Sequence, residues 1–303
     1  MAEDDGVEVR QMRPEEIAQA VDIWKEQGLE EGQNNVKIWY NVDPEGFYVA
    51  VDTTTDQVIG TCAAVRQHES LYFVGMYAVR KSYQGRGIGP RIWQVLMDRV
   101  GENNAGLNAV PKHLSTYRDR AGFSYLEPWS TIVYNTTNVT ADKLPSSAEG
   151  LRVVSISDDL MPKLVEYDRD IHGYERKKAI TLTLQDEDGF ARAVVKRGDD
   201  GEDIVCGFGK LSGNILGGAL ASPMYADDKE AASVLIRELV ENFEPSRHSL
   251  TMMVLDCNDD ACALAEELGL SPCMKVPRCY RVEGVQASLE KIYAQHDLNF
   301  TTF

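Results

Sequence analysis

The sequence predicts a mixed α/β fold built from two similar domains in tandem. Three observations support this prediction: the length of the chain, the order of strand and helix patterns in its first half, and a second half that repeats that order. The chain has 303 residues, which is more than a single hydrophobic core comfortably serves. Hydrophobic residues make up 43% and charged residues 26%, as in ordinary globular proteins.

The first half alternates between strand patterns and amphipathic helix patterns. Ile17, Val21 and Trp24 recur at helical spacing behind Pro14, which is favoured at the first position of a helix. Residues 28–46 are rich in glycine and asparagine and are predicted as turns. Strands are predicted at 7–10, 47–51, 58–65, 71–79, 107–110 and 130–134, and helices at 14–24, 90–97 and 112–121. This succession is typical of a mixed α/β sandwich.

The second half repeats the pattern of the first. Its matching strands are predicted at 151–154, 204–210 and 250–255, and its helices at 231–239 and 261–268. A polar segment with Pro, Ser and Gly precedes this repeat and is the best candidate for a linker. We therefore predict a first domain at 1–137, a linker at 138–150 and a second, degenerate domain at 151–303.

The charge and the cysteine content restrict the partners, ligands and metal sites that we expect. A net charge of −17 argues against nucleic acid and membrane partners, because both require clustered cations. It favours a cationic small molecule, although solubility alone also explains it. The six cysteines form no CxxC pair, so we expect reduced thiols and no metal site. The acidic start at 1–5 and the lack of a membrane-spanning apolar run lead us to expect a cytoplasmic protein.

A glycine-rich loop lies between the strand at 71–79 and the helix at 90–97. Glycine allows positive φ angles and a close approach of the backbone to an anion, and a helix N-terminus adds free N–H groups and a partial positive charge. From 70 to 97 the chain has no acid but several cations. The loop reads Gln84, Gly85, Arg86, Gly87, Ile88 and Gly89.

This loop is predicted to be an anion site, and a glycine turn without a ligand is the alternative. A dinucleotide-binding fingerprint does not fit, because Pro90 stands where its third glycine belongs. A Walker loop does not fit either, since no Lys followed by Ser or Thr is present there.

The loop resembles the core motif of the GNAT superfamily of acyl-CoA N-acetyltransferases: Gln or Arg, two residues, Gly, one residue, then Gly or Ala. The resemblance implies acetyl-CoA as acyl donor, with its pyrophosphate on 84–89 and its pantetheine arm along the backbone of Tyr77, Ala78 and Val79. The wider pattern, including residues 43–47, 167–176 and 255–258, is similar to tandem-GNAT proteins with a degenerate second copy. This resemblance implies that the domain at 1–137 is catalytic and that the domain at 151–303 forms a wall of the acceptor pocket. Residues 221–230, with Asp227 and Asp228, stand in place of the second glycine loop, so we expect one acetyl-CoA site, in the first half.

Acetyl transfer to an amine needs a neutral amine, a polarised carbonyl and a proton for the leaving thiolate. Backbone N–H groups near Tyr77 and Ala78 are candidates for polarising the carbonyl. Tyr117 is the candidate acid, one residue earlier than the family's usual position, and helix packing is its alternative role. Glu69 is the candidate base, acting through a water, and a solvated turn residue is its alternative role.

The family resemblance places the acceptor near 33–40, where Trp39 and Tyr40 can hold a cation over their rings. Asp168 can pair with an ammonium group and His172 can face the cleft; a packing role is the alternative for each. These residues predict direct transfer to a small cationic amine in a ternary complex, by a monomer that acts as an internal pseudo-dimer, with a homodimer left open. A non-catalytic acyl-CoA-binding sensor or scaffold is the alternative function.

Overall fold

The strands of residues 6–303, the part of the chain that the computed structural model describes, join into one 13-stranded sheet. Eight α-helices in this part of the chain pack on the sheet. The acidic residues 1–5, which contribute to the expectation of a cytoplasmic protein, lie outside the described residues.

The first half contains six strands and four α-helices within the described residues. Its strands are β1 (Val7–Gln11), β2 (Phe47–Asp52), β3 (Gln57–His68), β4 (Leu71–Val79), β5 (Asn104–Asn108) and β6 (Tyr125–Thr136). Its helices are α1 (Ile17–Glu26), α2 (Asn35–Val42), α3 (Ile88–Val100) and α4 (Leu114–Arg120).

The second half repeats this order of elements and adds one short strand. Its strands are β7 (Leu151–Val154), β8 (Gly189–Arg197), β9 (Asp203–Gly213), β10 (Ala219–Ala226), β11 (Leu250–Leu255), β12 (Ser271–Tyr280) and β13 (Ile292–Ala294). Its helices are α5 (Met161–His172), α6 (Lys177–Leu184), α7 (Lys229–Asn242) and α8 (Asp259–Glu267). The prediction of two similar mixed α/β domains in tandem is confirmed.

The two halves exchange their sixth strands. The sheet runs β1-β2-β3-β4-β5-β12-β6-β11-β10-β9-β8-β7, so β12 of the second half lies beside β5 of the first, and β6 lies beside β11. Register pairs such as Cys279 with Leu107 and Val133 with Met253 fix this arrangement. The domain boundaries at 137 and 151 stay a prediction. The sheet itself is continuous from one half to the other, because β6 and β12 each pair with a strand of the other half.

The predicted linker is packed rather than free. Ala141 and Leu144 are buried in the apolar core that α7 and α8 form with the sheet. The Thr140 N–H also donates to the carbonyl of Leu268 at 3.1 Å. The linker therefore helps to fix the second half in place.

Two local predictions were wrong. Residues 35–42, predicted as turn, form α2, because Val36 and Trp39 bury against Ile23 and Phe47 on one face of the sheet. Residues 221–226, predicted as part of a replacement for the glycine loop, belong to the wholly buried strand β10. The connection from β10 to α7 is therefore only two residues long.

The glycine loop of the first half is positioned by the helices that pack on the two faces of its sheet. Helix α3 packs Ile88, Ile92 and Leu96 against one face, and α1 and α2 cover the other. The loop thus joins the end of β4 to the N-terminus of α3. Among residues 6–303, no helix has the length and apolar character that crossing a bilayer would require.

Candidate active site

The loop at 84–89 is open and shaped by two left-handed glycines. Gly85 and Gly87 have φ angles of 78° and 79°, and no other part of the protein lies within 4 Å of the position a Cβ would take at either. Within residues 6–303, the N–H groups of Gly85, Arg86 and Gly87 donate to no backbone or side-chain acceptor. Free N–H groups beside a helix N-terminus form a cradle for an anion.

Side chains hold this loop in place and add positive charge. The Gln84 side chain donates to the carbonyl of Val79 at 2.9 Å, which ties the loop to the end of β4. The Arg86 guanidinium lies 4.9 Å from the centre of the Tyr83 ring, and the Tyr83 hydroxyl donates to Asp52 at 2.9 Å. This stacking presents a cation beside the free N–H groups.

A slot opens beside the loop because β4 and β5 separate half-way. Their parallel pairing covers only Leu71–Val74 with Asn104–Leu107, while β4 continues to pair with β3 as far as Val79. Met76 has a φ of 53° at a bulge opposite β3, and its carbonyl accepts from the Thr61 hydroxyl at 2.8 Å. A left-handed, buried methionine is strained, and such strain is concentrated at functional sites.

The corresponding slot of the second half is filled by the chain itself. Strands β10 and β11 also pair only at their beginnings, but β13 pairs with β10 where they separate, and the Gln295 N–H donates to the carbonyl of Met253 at 2.8 Å. Asp228 caps α7 through the N–H of Ala231 at 2.8 Å. Its neighbour Asp227 bonds to Lys291 at 2.9 Å. Carboxylates therefore occupy the helix terminus that would receive an anion.

Tyr77 and Tyr117 lie together under the glycine loop. Their rings lie 5.4 Å and 5.6 Å from the Trp93 ring, and a Cβ at Gly89 would come within 2.6 Å of the Tyr77 hydroxyl. Burial raises the pKa of Tyr117 to about 12, so this phenol keeps its proton at neutral pH. The acid role of Tyr117 stays a prediction, and its packing contacts are consistent with the alternative as well.

Glu69 does not lie near the slot. It is exposed in the turn that precedes β4, and eight residues of extended chain separate it from Tyr77. At about 3.3 Å per residue this distance is roughly 25 Å, whereas a general base acts by direct contact or through one water. The structure therefore gives no support to Glu69 as the base.

A buried pair of carboxyl groups, which no sequence motif marks, lies closer to the slot. Glu31 and Asp297 are 2% and 1% exposed, and Asn35 donates to both, at 2.7 and 2.8 Å. Asn299 donates to Glu31 at 2.8 Å, and its backbone presses against Gly75 in β4. Burial, together with the repulsion of Glu31, raises the pKa of Asp297; burial also raises the pKa of Glu31.

Asp168 and His172 lie in the core rather than at the surface of a cleft. Asp168 is fully buried and binds Arg176 with two contacts, at 2.5 and 3.1 Å. His172 is buried against Tyr225 and Phe303, and burial lowers its pKa well below the usual value. Neither side chain is placed to touch an acceptor in solution.

Trp39 packs inside, and Tyr40 is half-buried. Trp39 contacts the rings of His296 and Phe300, and it lines a cavity between the halves. The Tyr40 hydroxyl donates to the carbonyl of Met12 at 3.2 Å. Of the four predicted acceptor residues, Trp39 alone lines this cavity, and Tyr40, Asp168 and His172 do not.

Fold and loop together define an acyltransferase-type architecture. Comparison with protein families agrees: residues 10–120 match the acetyltransferase (GNAT) family, and residues 164–294 match an acetyltransferase (GNAT) domain. The chain belongs to the GNAT acetyltransferase superfamily and carries two of its domains in tandem. An uncharacterized Caenorhabditis elegans protein is 24% identical over 135 residues, which cover 44% of this chain and 43% of that protein.

Solved structures share the whole two-domain fold. A candidate acetyltransferase from Pyrococcus horikoshii superposes with a TM-score of 0.73 at 18% identity, over 98% of this chain and 96% of that one. A tandem GNAT protein of the clavulanic acid biosynthesis pathway gives 0.64 at 12% identity, over 90% and 98%. A GCN5-related N-acetyltransferase from Sphaerobacter thermophilus gives 0.60 at 13%, over 96% of each chain.

Proposed function

We propose that this protein is an N-acetyltransferase that moves an acetyl group from acetyl-CoA to an amine, using one acetyl-CoA site in its first half. The open glycine loop is the observation that carries the proposal, because its free N–H groups and Arg86 suit a pyrophosphate. The separated strands beside Gly75–Val79 suit the pantetheine arm. The filled slot of the second half supports a single site.

The chemistry follows from the residues around the slot. The amine attacks the thioester carbon, a C–N bond forms, and the C–S bond breaks to release CoA as its thiolate. Backbone N–H groups at Tyr77 and Ala78, next to the strained Met76, stabilise the negative charge on the carbonyl oxygen. Tyr117 supplies the proton for the thiolate, which its raised pKa keeps available at neutral pH.

The amine must lose a proton, and the carboxyl pair of Glu31 and Asp297 is the proposed acceptor in place of Glu69. Asn299 contacts both this pair and Gly75, so the pair adjoins the slot. Burial raises the pKa of both carboxyl groups, so the pair is a stronger base than a solvated carboxylate. Glu31→Gln should then lower kcat and move the acid limb of its pH profile, whereas unchanged kcat would exclude the pair.

The proposed mechanism is direct attack of the amine on the thioester in a ternary complex, with the acceptor near α2. The expected preference for a cationic acceptor loses the support of Asp168, because Arg176 already neutralises that carboxylate. A monomer that acts as an internal pseudo-dimer is proposed from the exchanged strands. A cytoplasmic location is proposed from the six unpaired cysteines.

Release of free CoA from acetyl-CoA in the presence of an amine panel tests the proposed function. Mass spectrometry of the product should show an acetyl group on the amine nitrogen, and Gly87→Asp should lower this activity at subsaturating acetyl-CoA. The rival function, a sensor or scaffold that binds acyl-CoA without turnover, is favoured by the position of Tyr117, one residue earlier than the family's usual tyrosine. Tight acetyl-CoA binding with no acetylated product from any amine would support the rival and contradict the enzyme.

A further inference from the structure

The buried carboxyl pair of Glu31 and Asp297 joins the two halves of the chain. Glu31 belongs to the connection between α1 and α2, and Asp297 belongs to the segment after β13. The Nδ2 atom of Asn35 donates to both carboxyl groups, at 2.7 and 2.8 Å, so they lie within two hydrogen-bond lengths of each other. They also hydrogen-bond directly. Two ionised carboxylates have no hydrogen to donate, so one of the pair carries a proton.

The other contacts of the pair are to neutral donors. The N–H of Gly32 and the side chain of Asn299 each donate to Glu31 at 2.8 Å, and the N–H of Phe300 donates to Asp297 at 2.9 Å. Within residues 6–303, no Lys, Arg or His forms an ion pair with either carboxyl group. These donors can stabilise one buried charge, but a second charge beside it would have no compensating cation.

The charged groups on the surrounding elements do not supply that cation. Lys210 of β9 is bound by Asp186 at 2.6 Å. His296 precedes Asp297 in the chain, and burial lowers the pKa of His296 well below its usual value, so its ring is neutral. In the connection itself, Glu30 adds negative rather than positive charge, and Lys37 of α2 is exposed to solvent.

The pair lies at a junction of backbone hydrogen bonds between the halves. The N–H of Gln33 donates to the carbonyl of Gly213 at 2.7 Å, and the N–H of Ile215 donates to the carbonyl of Glu31 at 2.9 Å. Both bonds join the α1–α2 connection to the hairpin of β9 and β10. Helix α2 begins directly after this connection, at Asn35. The junction therefore fixes the start of the helix near which we place the acceptor.

We propose that Glu31 and Asp297 form a proton-dependent latch, which holds the α1–α2 connection on the second half while they share one proton and releases it when that proton is lost. Loss of the proton leaves two like charges side by side in the protein interior. Their repulsion favours the open state, in which water solvates both carboxylates. The latch needs neither acetyl-CoA nor an acceptor, so it goes beyond the proposed function and does not depend on it.

The latch should be closed at acid pH and should open as the pH rises. Burial, together with the charge of Glu31, raises the pKa of Asp297 well above its usual value, which is near about 4. Above that pH the closed state binds one proton more than the open state. The equilibrium constant for opening should then rise up to about tenfold per pH unit, until Asp297 ionises in the closed state.

Hydrogen exchange at the amides of Gln33 and Ile215 measures this opening, because their partners across the junction are lost in the open state. The double variant Glu31→Gln/Asp297→Asn removes both titrating groups. Comparison with wild type at the same pH cancels the intrinsic pH dependence of exchange. From about pH 5 upward, the ratio of wild-type to variant exchange rates should rise by up to about tenfold per pH unit. The exposed control Glu187→Gln should follow wild type at every pH.

A ratio that stays constant with pH overturns the latch, because it would show that no proton is shared. A ratio that rises equally at the amides of α7, in the core of the second half, also overturns it, since the pair would then act on the whole fold.

If the double variant does not fold, wild type alone decides. With the intrinsic rates divided out, the amides of Gln33 and Ile215 should exchange faster relative to those of α7 as the pH rises, and a constant relative rate overturns the latch. These measurements use no acetyl-CoA. A protein that acetylates no amine therefore leaves the latch intact, and loss of the latch leaves the proposed acetyl transfer intact.

Discussion

Replacing Gly87 by Asp or by Asn isolates the effect of charge at the glycine loop. Both residues tolerate the left-handed backbone better than other side chains do, and Gly87, with a φ of 79°, has open space around its Cβ position. The two variants therefore fit equally well and differ by a single negative charge. Their free energies of unfolding should match and lie within about 1–2 kcal/mol of wild type.

The loss of acetyl-CoA affinity can be worked out from this geometry. A carboxylate at 87 would lie about 4 Å from a phosphate on the loop, where two unit charges interact by about 1 kcal/mol in water and about 4 kcal/mol at an effective dielectric constant near 20. The loop is exposed, so the cost falls between these limits. Gly87→Asp should bind acetyl-CoA about 5-fold to 1000-fold more weakly than Gly87→Asn.

Isothermal titration with acetyl-CoA measures this difference, and urea unfolding of both variants controls for stability. The difference should shrink as salt is added, because exposed charges are screened. Equal affinity of the Asp and Asn variants would refute the reasoning, since it would mean that no phosphate lies near Gly87.

Three further predictions concern catalysis and stability. Tyr117→Phe should lower kcat by about 10²–10⁴-fold with unchanged acetyl-CoA affinity in thiol-release assays; a kcat within a few-fold of wild type would exclude its acid role. Asp168→Asn should cost about 3–5 kcal/mol in urea unfolding, since it leaves a buried arginine unpaired, while the exposed control Asp170→Asn should stay within about 0.5 kcal/mol. Because burial lowers the pKa of His172, its contribution to stability is full above about pH 6.5 and is lost as the pH falls. Between about pH 6.5 and 5, the wild type should lose roughly 1.4 kcal/mol per pH unit more than His172→Gln; equal slopes would contradict this.

The glycine loop and the repeated fold could be predicted because their signals are local. Gly85 and Gly87 stand where the backbone needs positive φ, and the strand before them and the helix after them show clear periodicity. The repeat is visible as the same order of patterns in each half. These features depend on few long-range contacts, so the sequence alone indicates them.

The strand exchange could not be predicted, because β6 and β12 are similar patterns whose partners are chosen by tertiary packing. The same holds for Asp168, whose partner Arg176 lies beyond the end of α5 and approaches it only in the folded chain. The segment at 295–303 is largely buried, and Gln67 and Arg278 donate to its carbonyl groups. These partners are distant in sequence, so no local pattern indicates the burial.

A crystal structure of the protein grown with acetyl-CoA would locate the donor site. We expect one acetyl-CoA per chain, with its pyrophosphate on the N–H groups of 85–89 and its thioester between β4 and β5, next to Met76. Strands β10 and β11 should keep β13 between them. Acetyl-CoA bound in the second half, or bound away from the glycine loop, would show that the proposed single site is wrong.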